Sequence, residues 1–409
     1  MNPQSSASNS RFEQQFGALG IALAAVVVVV SLNLRPVLTS VGPISDLIQA
    51  GTGLSTSAMG LLASVPVLCM GIGALCTPWI IRTIGMDSAV VAALVALGIT
   101  TAIRSFVPGA GLWIGTVGIG LAIGVLNGVL PPIIKRDFPT RSTMVMGIYS
   151  AALTLGAAVA SGVAVPIAGA TSWRVATGIW LVLVVIGLAA WAWSIQARGS
   201  LIRISPEQHI RGSHISHAPR VNVWQNPLAW AITSFMGLQS FLFYTFVQWL
   251  PDLEKSNGIS AEVAGVHMML FQIAGLAATL LVTAIQGERP DQRWAAFATG
   301  VIWFVGLGGM LAAPSLALTW AIVMGLGSGA SFNLALSFIS TRTVDSYQAS
   351  AVSGMSQSLG YVIAAIGPTL AGLMAESLSW DAVLVMTAGV AAAMMVLGVI
   401  AGRPVKISG

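Results

Sequence analysis

Hydrophobic residues along this chain fall into long runs separated by short breaks that contain polar residues, glycine and proline. A transmembrane helix needs about 20 predominantly apolar residues. Twelve runs reach that length, near residues 17–44, 57–81, 88–107, 112–134, 143–167, 174–196, 227–250, 262–285, 294–312, 316–340, 349–374 and 382–402. The pattern predicts an all-α integral membrane protein with twelve transmembrane helices in a lipid bilayer.

Composition supports this class, since 56% of the 409 residues are hydrophobic and only 8% are charged, whereas soluble domains have about 25% charged residues. The net charge is +5, but the basic residues are scattered over short loops and form no basic face. A nucleic-acid partner is therefore not expected. Cys69 and Cys76 lie in one apolar run at a spacing that suits neither an ordinary disulfide nor a zinc site. No metal site is expected.

One connection, near 197–226, is much longer than the others, and it divides the chain into two sets of six predicted spans. The predicted organisation is a tail at 1–16, a six-helix bundle at 17–196, the linker at 197–226, a second bundle at 227–402 and a tail at 403–409. Weak repeats relate the halves: Gly-Leu-Ser at 53–55 corresponds to Gly-Ile-Ser at 258–260, and Asn127 corresponds to Asn333. Such repeats are common in transporters and predict two pseudo-symmetric bundles.

Basic residues are unevenly distributed between the two sides of the predicted membrane. If the N-terminus is cytoplasmic, the inner segments hold 14 of the 18 Lys and Arg residues. Arg104, Arg174 and Lys255 then belong to the outer side, and Arg35 belongs to neither. Because cytoplasmic loops carry the excess of basic residues, both termini are predicted to be inside, in a cell (cytoplasmic or inner) membrane.

Arg35 is the basic residue that lies inside the first hydrophobic run, and no Asp or Glu lies in the interior of any run. An ionisable residue within a membrane is a functional-site hypothesis by default. Its planar guanidinium suits a carboxylate, nitro group or similar planar anion. Thr39 shares its helix face one turn later, and Pro36 predicts a kink at this charge. An Arg that bonds helix carbonyls or extends to an interface is the structural alternative.

Further polar residues form a second group of candidate substrate ligands. They lie in predicted spans four, seven, ten and eleven: Asn127, Tyr244, Gln248, Asn333, Gln357 and Tyr361. Pro131 frees the carbonyl of Asn127 from its usual helical bond. Hydrogen bonding between helices, worth about 0.6 kcal/mol for each pair, is the alternative for every one of them.

Acidic residues, 13 in all, fall at loops or helix ends in this topology, so no carboxylate is predicted at the middle of the membrane. His267, six residues into the eighth predicted span, is the coupling candidate, because histidine titrates near neutral pH. Its position favours the alternative, a helix-end histidine that faces the outer water.

Three stretches are similar to signatures of the cyanate and 2-nitroimidazole porter family of the major facilitator superfamily. They are NLRP with VGP at 33–43, NGVLP with KRDFP at 127–139, and QSLGYVIAAIGP at 357–368. The resemblance implies the major facilitator fold and a cavity lined by spans one, four, five, seven, ten and eleven. Pro36, Pro131 and Pro368 are the expected conformational residues.

The superfamily's cytoplasmic motif between spans two and three is eroded here. Only Arg82, Gly85 and Asp87 remain, which puts the usual charge link between spans two and eleven in doubt. Arg82 and Asp87 are kept as gating candidates, although Asp87 could instead cap the third helix.

These features predict a secondary active or facilitative transporter that works by alternating access, with Arg35 binding the substrate. The expected substrate is a small anion such as cyanate, a nitrate-like ion or a monocarboxylate, or a polar aromatic solute such as a nitroimidazole. No phosphate-binding loop is present, so neither ATP nor another cofactor is expected, and no residues converge as in an enzyme. A monomer is expected. Proton-coupled drug or metabolite efflux and a membrane sensor are the alternatives.

Overall fold

The structure is a computed structural model in which residues 20–138, 141–202, 222–286, 289–344 and 346–407 are described. The predicted tail at 1–16 and most of the predicted linker lie outside these residues. Within them, twelve helices are long and apolar enough to cross a membrane, as predicted. They are α1 (Gly20–Thr52), α2 (Thr56–Ile84), α3 (Met86–Phe106), α4 (Ala110–Asp137), α5 (Met144–Ala170), α6 (Trp173–Arg198), α7 (Pro227–Ser256), α8 (Ala261–Ile285), α9 (Arg293–Ala312), α10 (Pro314–Arg342), α11 (Gln348–Ser377) and α12 (Trp380–Ala401).

Two helices extend well past their predicted ends. The α1 segment continues through short helical pieces to Thr52, and α7 runs through Pro251 to Ser256. Hydrophobicity ends at Leu250, but the charged residues beyond it find partners, since Lys255 Nζ lies 2.8 Å from Asp252 and 3.1 Å from Asp46. A prediction based on apolar runs therefore ended α7 too early.

The predicted kink in α1 is present at Arg35 and Pro36. Regular helix ends at Ser31, turns occupy 32–35, and a short helix begins again at Pro36. The amides of Asn33 and Leu34 bond to carbonyls three residues earlier, both at 3.1 Å. Proline lacks an amide hydrogen and disrupts the preceding turn. The break therefore places Arg35 where the helix is not continuous.

The two halves have separate hydrophobic cores, and their helices pack in corresponding ways. One core is built from α1 to α6 with Tyr361 at its edge, and the other from residues 223–407. Gly124 of α4 packs on α2 with no room for a Cβ beside Met70, and Gly329 of α10 packs on α8 with none beside Gly275. Small residues allow such close contact between membrane helices. The sequence repeat thus corresponds to a repeat in packing.

The halves meet tightly at the end of the molecule where α1 joins α2 and α7 joins α8, here named the closed end. Ser64 Oγ accepts hydrogen bonds from Thr369 Oγ1 at 2.8 Å and Thr369 N at 3.1 Å. The Ser57 amide of α2 donates to Glu376 Oε2 of α11 at 2.7 Å. Gly42 of α1 lies directly against α7. These contacts seal one end of the space between the halves.

Candidate substrate-binding site

A central cavity of about 220 Å³ lies between the two halves. Its walls come from α1, α4, α5, α7, α8, α10 and α11, which include all the helices that the family resemblance implies. The break in α1 contributes to it at Arg35, and Pro131 lines it from within the continuous helix α4. Irregular backbone is tolerated in a membrane protein where it lines a cavity.

Arg35 reaches this cavity from α1 and is half-buried. Its Nη1 donates to the Tyr244 hydroxyl at 3.2 Å, and its guanidinium carbon lies 5.3 Å from the centre of the Phe243 ring and 5.7 Å from that of Tyr244. Within the described residues this is its single side-chain hydrogen bond, and no carboxylate pairs with it. A guanidinium has five N–H donors, so most of them are available to a ligand.

Three of the chain's four tyrosines line the same cavity: Tyr149, Tyr244 and Tyr361. The Tyr149 hydroxyl donates to Asn127 Oδ1 at 3.0 Å, which joins α5 to α4 at the cavity wall. Tyr149 was not among the ligands predicted from the sequence. Tyrosine is rare in this chain, with four in all, and that rarity could have indicated Tyr149 as a candidate. Nothing in the sequence indicates that α5 places it on the same cavity as Arg35.

Most of the predicted polar ligands reach the central cavity. Asn127, Tyr244, Gln357 and Tyr361 all line it, and Gln357 Nε2 also donates to Ser353 Oγ at 3.2 Å on its own helix. Further polar residues of the wall, which were not predicted from the sequence, are Gln239, Ser240, Gln272 and Ser328. Both halves thus contribute polar side chains to the cavity wall, and α1 contributes the positive charge of Arg35.

Three predicted ligands do not line the central cavity, contrary to the prediction that they face it. Thr39 is 1% exposed, and its hydroxyl lies 3.2 Å from both the Arg35 and Ala157 carbonyls, because α1 packs on α5 one turn beyond Arg35. Asn333 points from α10 towards α8 and donates to Thr283 Oγ1 at 2.8 Å. Gln248 lines a second, smaller cavity.

His267 does not face water, contrary to the alternative that its position favoured. It is 9% exposed, and its Nδ1 lies 2.9 Å from Oε2 of Glu254, which is fully buried. Glu254 lies in the last turn of α7, at a helix end as predicted, but the continuation of α7 past Pro251 buries it. The pair lies at the closed end, between α7 and α8.

Arg104 lies in the last turn of α3, at the helix end that was predicted to face outside, but it is buried. It is 4% exposed, and its Nη1 donates to the Val37 carbonyl at 2.7 Å. That carbonyl is available because the Val41 amide bonds to Leu38 instead. This burial was not predicted from the sequence.

Asp87 belongs to an ion-pair cluster inside the first half. Its carboxylate lies 2.8 Å from Arg136 and 2.9 Å from Arg198, and Asp137 pairs with the same two arginines. Arg82 is exposed, and within the described residues neither it nor Asp87 bonds to α11. Asp87 thus connects α3 with α4 and α6. It lies in the first turn of α3 and makes no side-chain cap there.

Comparisons with known proteins agree with this architecture. A model of the Major Facilitator Superfamily matches residues 18–365 and 250–407. The 2-nitroimidazole transporter of Escherichia coli (strain K12) is 34% identical over 95% of this chain and 97% of its own length. The cyanate transport protein CynX of the same organism is 29% identical over 85% and 88%.

Among solved structures, the inward open xylose transporter XylE from E. coli superposes with a TM-score of 0.72 over 92% of this chain and 95% of that one. At 14% identity the likeness concerns the fold. A twelve-helix membrane fold, a cavity between its halves and a family match over most of the sequence all agree. The chain belongs to the Major Facilitator Superfamily and is a multi-pass membrane transporter of a small solute, not an enzyme.

Proposed function

We propose that this protein transports a small planar anion, or a planar aromatic solute that carries a nitro or carboxylate group, and that Arg35 binds that group. The observation that carries this proposal is the guanidinium in the central cavity, which has one hydrogen bond and no carboxylate partner within the described residues. A charge within a membrane protein is costly unless something compensates it. A bound anion would supply that compensation together with planar hydrogen bonding.

Cavity size and aromatic walls support a substrate that ranges from a triatomic anion to a single aromatic ring. About 220 Å³ is many times the 10–15 Å³ that one water requires. Phe243 and Tyr244 hold the guanidinium by cation–π contacts, and Tyr361 faces the same space. Relatives named for cyanate and 2-nitroimidazole cover this range of sizes.

Alternating access would follow from movement of the proposed units 17–196 and 227–402 around the cavity. The closed end would be the outer side, since the predicted topology puts both termini and most basic residues inside the cell membrane. Opening would break the contacts of Ser64 with Thr369 and of Ser57 with Glu376. The Asp87 ion-pair cluster would then hold α3, α4 and α6 together as one unit.

Proteoliposome uptake tests this function. We expect ¹⁴C-labelled formate or 2-nitroimidazole to exchange across liposomes that contain the native protein, and Arg35→Gln to reduce the initial rate at least 10-fold. Arg403→Gln is the matched control, because it removes the same charge from an exposed residue after α12. Equal uptake by native protein and Arg35→Gln would rule out a substrate-binding role for Arg35.

Proton-coupled transport is a second candidate, favoured by the buried pair of Glu254 and His267. A carboxylate that is 0% exposed and contacts an imidazole at 2.9 Å can exchange a proton within a span. We expect a pH gradient to stimulate uptake by the native protein. Glu254→Gln and His267→Gln would abolish that stimulation, while solute exchange without a gradient continues. If a pH gradient still stimulates uptake by both variants, the pair does not couple transport to protons.

A further inference from the structure

A second cavity, of about 40 Å³, lies between Arg35 and the closed end. It is bounded by the kinked part of α1 at Leu38 and Val41, by α3 at Arg104, and by α7 at Tyr244 and Gln248. Tyr244 lines this cavity as well as the central one, and its hydroxyl accepts the hydrogen bond from Arg35. The two spaces therefore share one wall.

Arg104 faces this second cavity with unused hydrogen-bonding capacity. It is 4% exposed, and its Nε and Nη2 have no hydrogen-bond partner, although Nη1 bonds to Val37. Within the described residues no carboxylate pairs with it. A buried charge with unsatisfied donors is unfavourable. The hydrogen bond to the Val37 carbonyl satisfies Nη1, and it leaves the N–H groups of Nε and Nη2 without an acceptor.

Gln248 adds a second unpartnered donor to the same cavity. It is 3% exposed, and its Nε2 has no hydrogen-bond partner. Thr116 also lines the space, but its hydroxyl already donates to the Leu112 carbonyl at 2.6 Å. The unpartnered groups are thus N–H donors, one of them cationic. Such a set is complementary to an anion and not to a cation.

Volume restricts the size of that anion. About 40 Å³ corresponds to roughly three waters at 10–15 Å³ each. An anion of three or four heavy atoms, such as formate, cyanate or nitrate, matches this space, whereas an aromatic ring requires the larger central cavity.

We propose that Arg104 and Gln248 form a second anion-binding site for ions of three or four heavy atoms. This site rests on the proposed transport of anions through the Arg35 cavity. It lies on the closed-end side of Tyr244, so an anion entering from that end would bind Arg104 before it reaches Arg35. Gln248, predicted from the sequence as a ligand, is then a ligand of this second site.

Binding stoichiometry tests the second site. Equilibrium dialysis of the full-length purified protein with ¹⁴C-formate is expected to give two equivalents for the native chain and one for Arg104→Gln. Gln248→Glu is the second variant, because it places a carboxylate in the cavity that Arg104 lines and does not alter Arg104 or Val37. We expect one equivalent there too, together with a raised melting temperature, since the new carboxylate replaces the anion.

Other variants separate this site from the central one. Arg35→Gln is expected to retain one equivalent, and the double variant Arg35→Gln with Arg104→Gln none. If Gln248→Glu and a folded Arg104→Gln both keep the native stoichiometry, Arg104 only clamps α1 and the second site is refuted. If Arg35→Gln keeps two equivalents while Gln248→Glu keeps one, the second site stands and the role proposed for Arg35 fails.

Discussion

Arg35 and Arg104 both lack a carboxylate partner among the described residues, yet their surroundings differ. Arg35 lies at a helix break, is half-buried and faces about 220 Å³. Arg104 lies in the unbroken α3, is 4% exposed and donates to the Val37 carbonyl. It faces the second cavity, of about 40 Å³. The comparison shows that available space and remaining donors, more than charge, decide what each arginine can bind.

The largest expected effect separates the two arginines in binding a substrate the size of one aromatic ring. Arg35→Gln should weaken binding of 2-nitroimidazole or benzoate about 10- to 150-fold, because a hydrogen bond to a charged group is worth about 1.5–3 kcal/mol. Arg104→Gln should change that affinity less than about 3-fold, since the ring cannot enter the small cavity. Equilibrium dialysis measures both affinities. Equal losses of affinity in the two variants would show that Arg35 and Arg104 do not differ in binding a ring-sized ligand.

Gly42→Ala should open the route to Arg104 while leaving Arg35 in place. The added Cβ would overlap the carbonyls of Val247 and Gln248, so the close contact of α1 with α7 cannot form. We expect the distance distribution between spin labels on the exposed residues Thr52 and Ser260 to shift to longer values, as measured by double electron–electron resonance.

Gly169→Ala is the matched control for this substitution, because a Cβ there meets nothing within 4 Å. It should leave the distance distribution unchanged. A native-like distribution in Gly42→Ala would show that the contact at Gly42 does not keep the end closed.

Tyr244→Phe should affect the Arg35 site moderately. It removes the hydroxyl that accepts from Arg35 at 3.2 Å and keeps the ring. A hydrogen bond is worth about 0.5–1.5 kcal/mol, so benzoate affinity should fall about 2- to 10-fold. Tyr361→Phe is the matched control in the same cavity, since its hydroxyl has no such bond to Arg35. The two variants are compared by the same dialysis, and a larger loss in Tyr361→Phe would assign the supporting role to that residue.

The smallest expected effect concerns the two asparagines that the repeat relates. Asn127→Ala should weaken benzoate binding a few-fold, because Asn127 lines the central cavity and accepts from Tyr149. Asn333→Ala should leave affinity within about 2-fold and lower stability by about 0.6 kcal/mol, as expected for a hydrogen bond between membrane helices. Binding and chemical denaturation of the same samples test this, and an affinity loss in Asn333→Ala would contradict its position outside the cavity.

Hydrophobic runs predicted the twelve spans and their order, because the length of an apolar run is a direct consequence of bilayer thickness. The Arg35–Pro36 pair also predicted the kink correctly. Asn127 and Asn333 show where such inference ends, since corresponding positions in a repeat face different neighbours once the helices pack. The burial of Glu254 was not predicted, because its contact with His267 joins two helices.

The burial of Arg104 could not be predicted from the sequence either. Its place near the end of an apolar run is typical of an interfacial residue, and its burial is set by the carbonyl of Val37, which the kink in α1 leaves free. A contact between helices that is created by a break in one of them has no local signal in the sequence. The second cavity could therefore be found only in the folded structure.

The most direct test of the central claim is a comparison of a charged ligand with its neutral isostere. Affinities of benzoate and benzamide would be measured for native protein and Arg35→Gln, both checked for folding by gel filtration. We expect the native protein to prefer benzoate at least 10-fold and Arg35→Gln to lose that preference, because Arg35 binds the ligand's negative charge. An equal preference in both proteins would show that Arg35 does not recognise the anion.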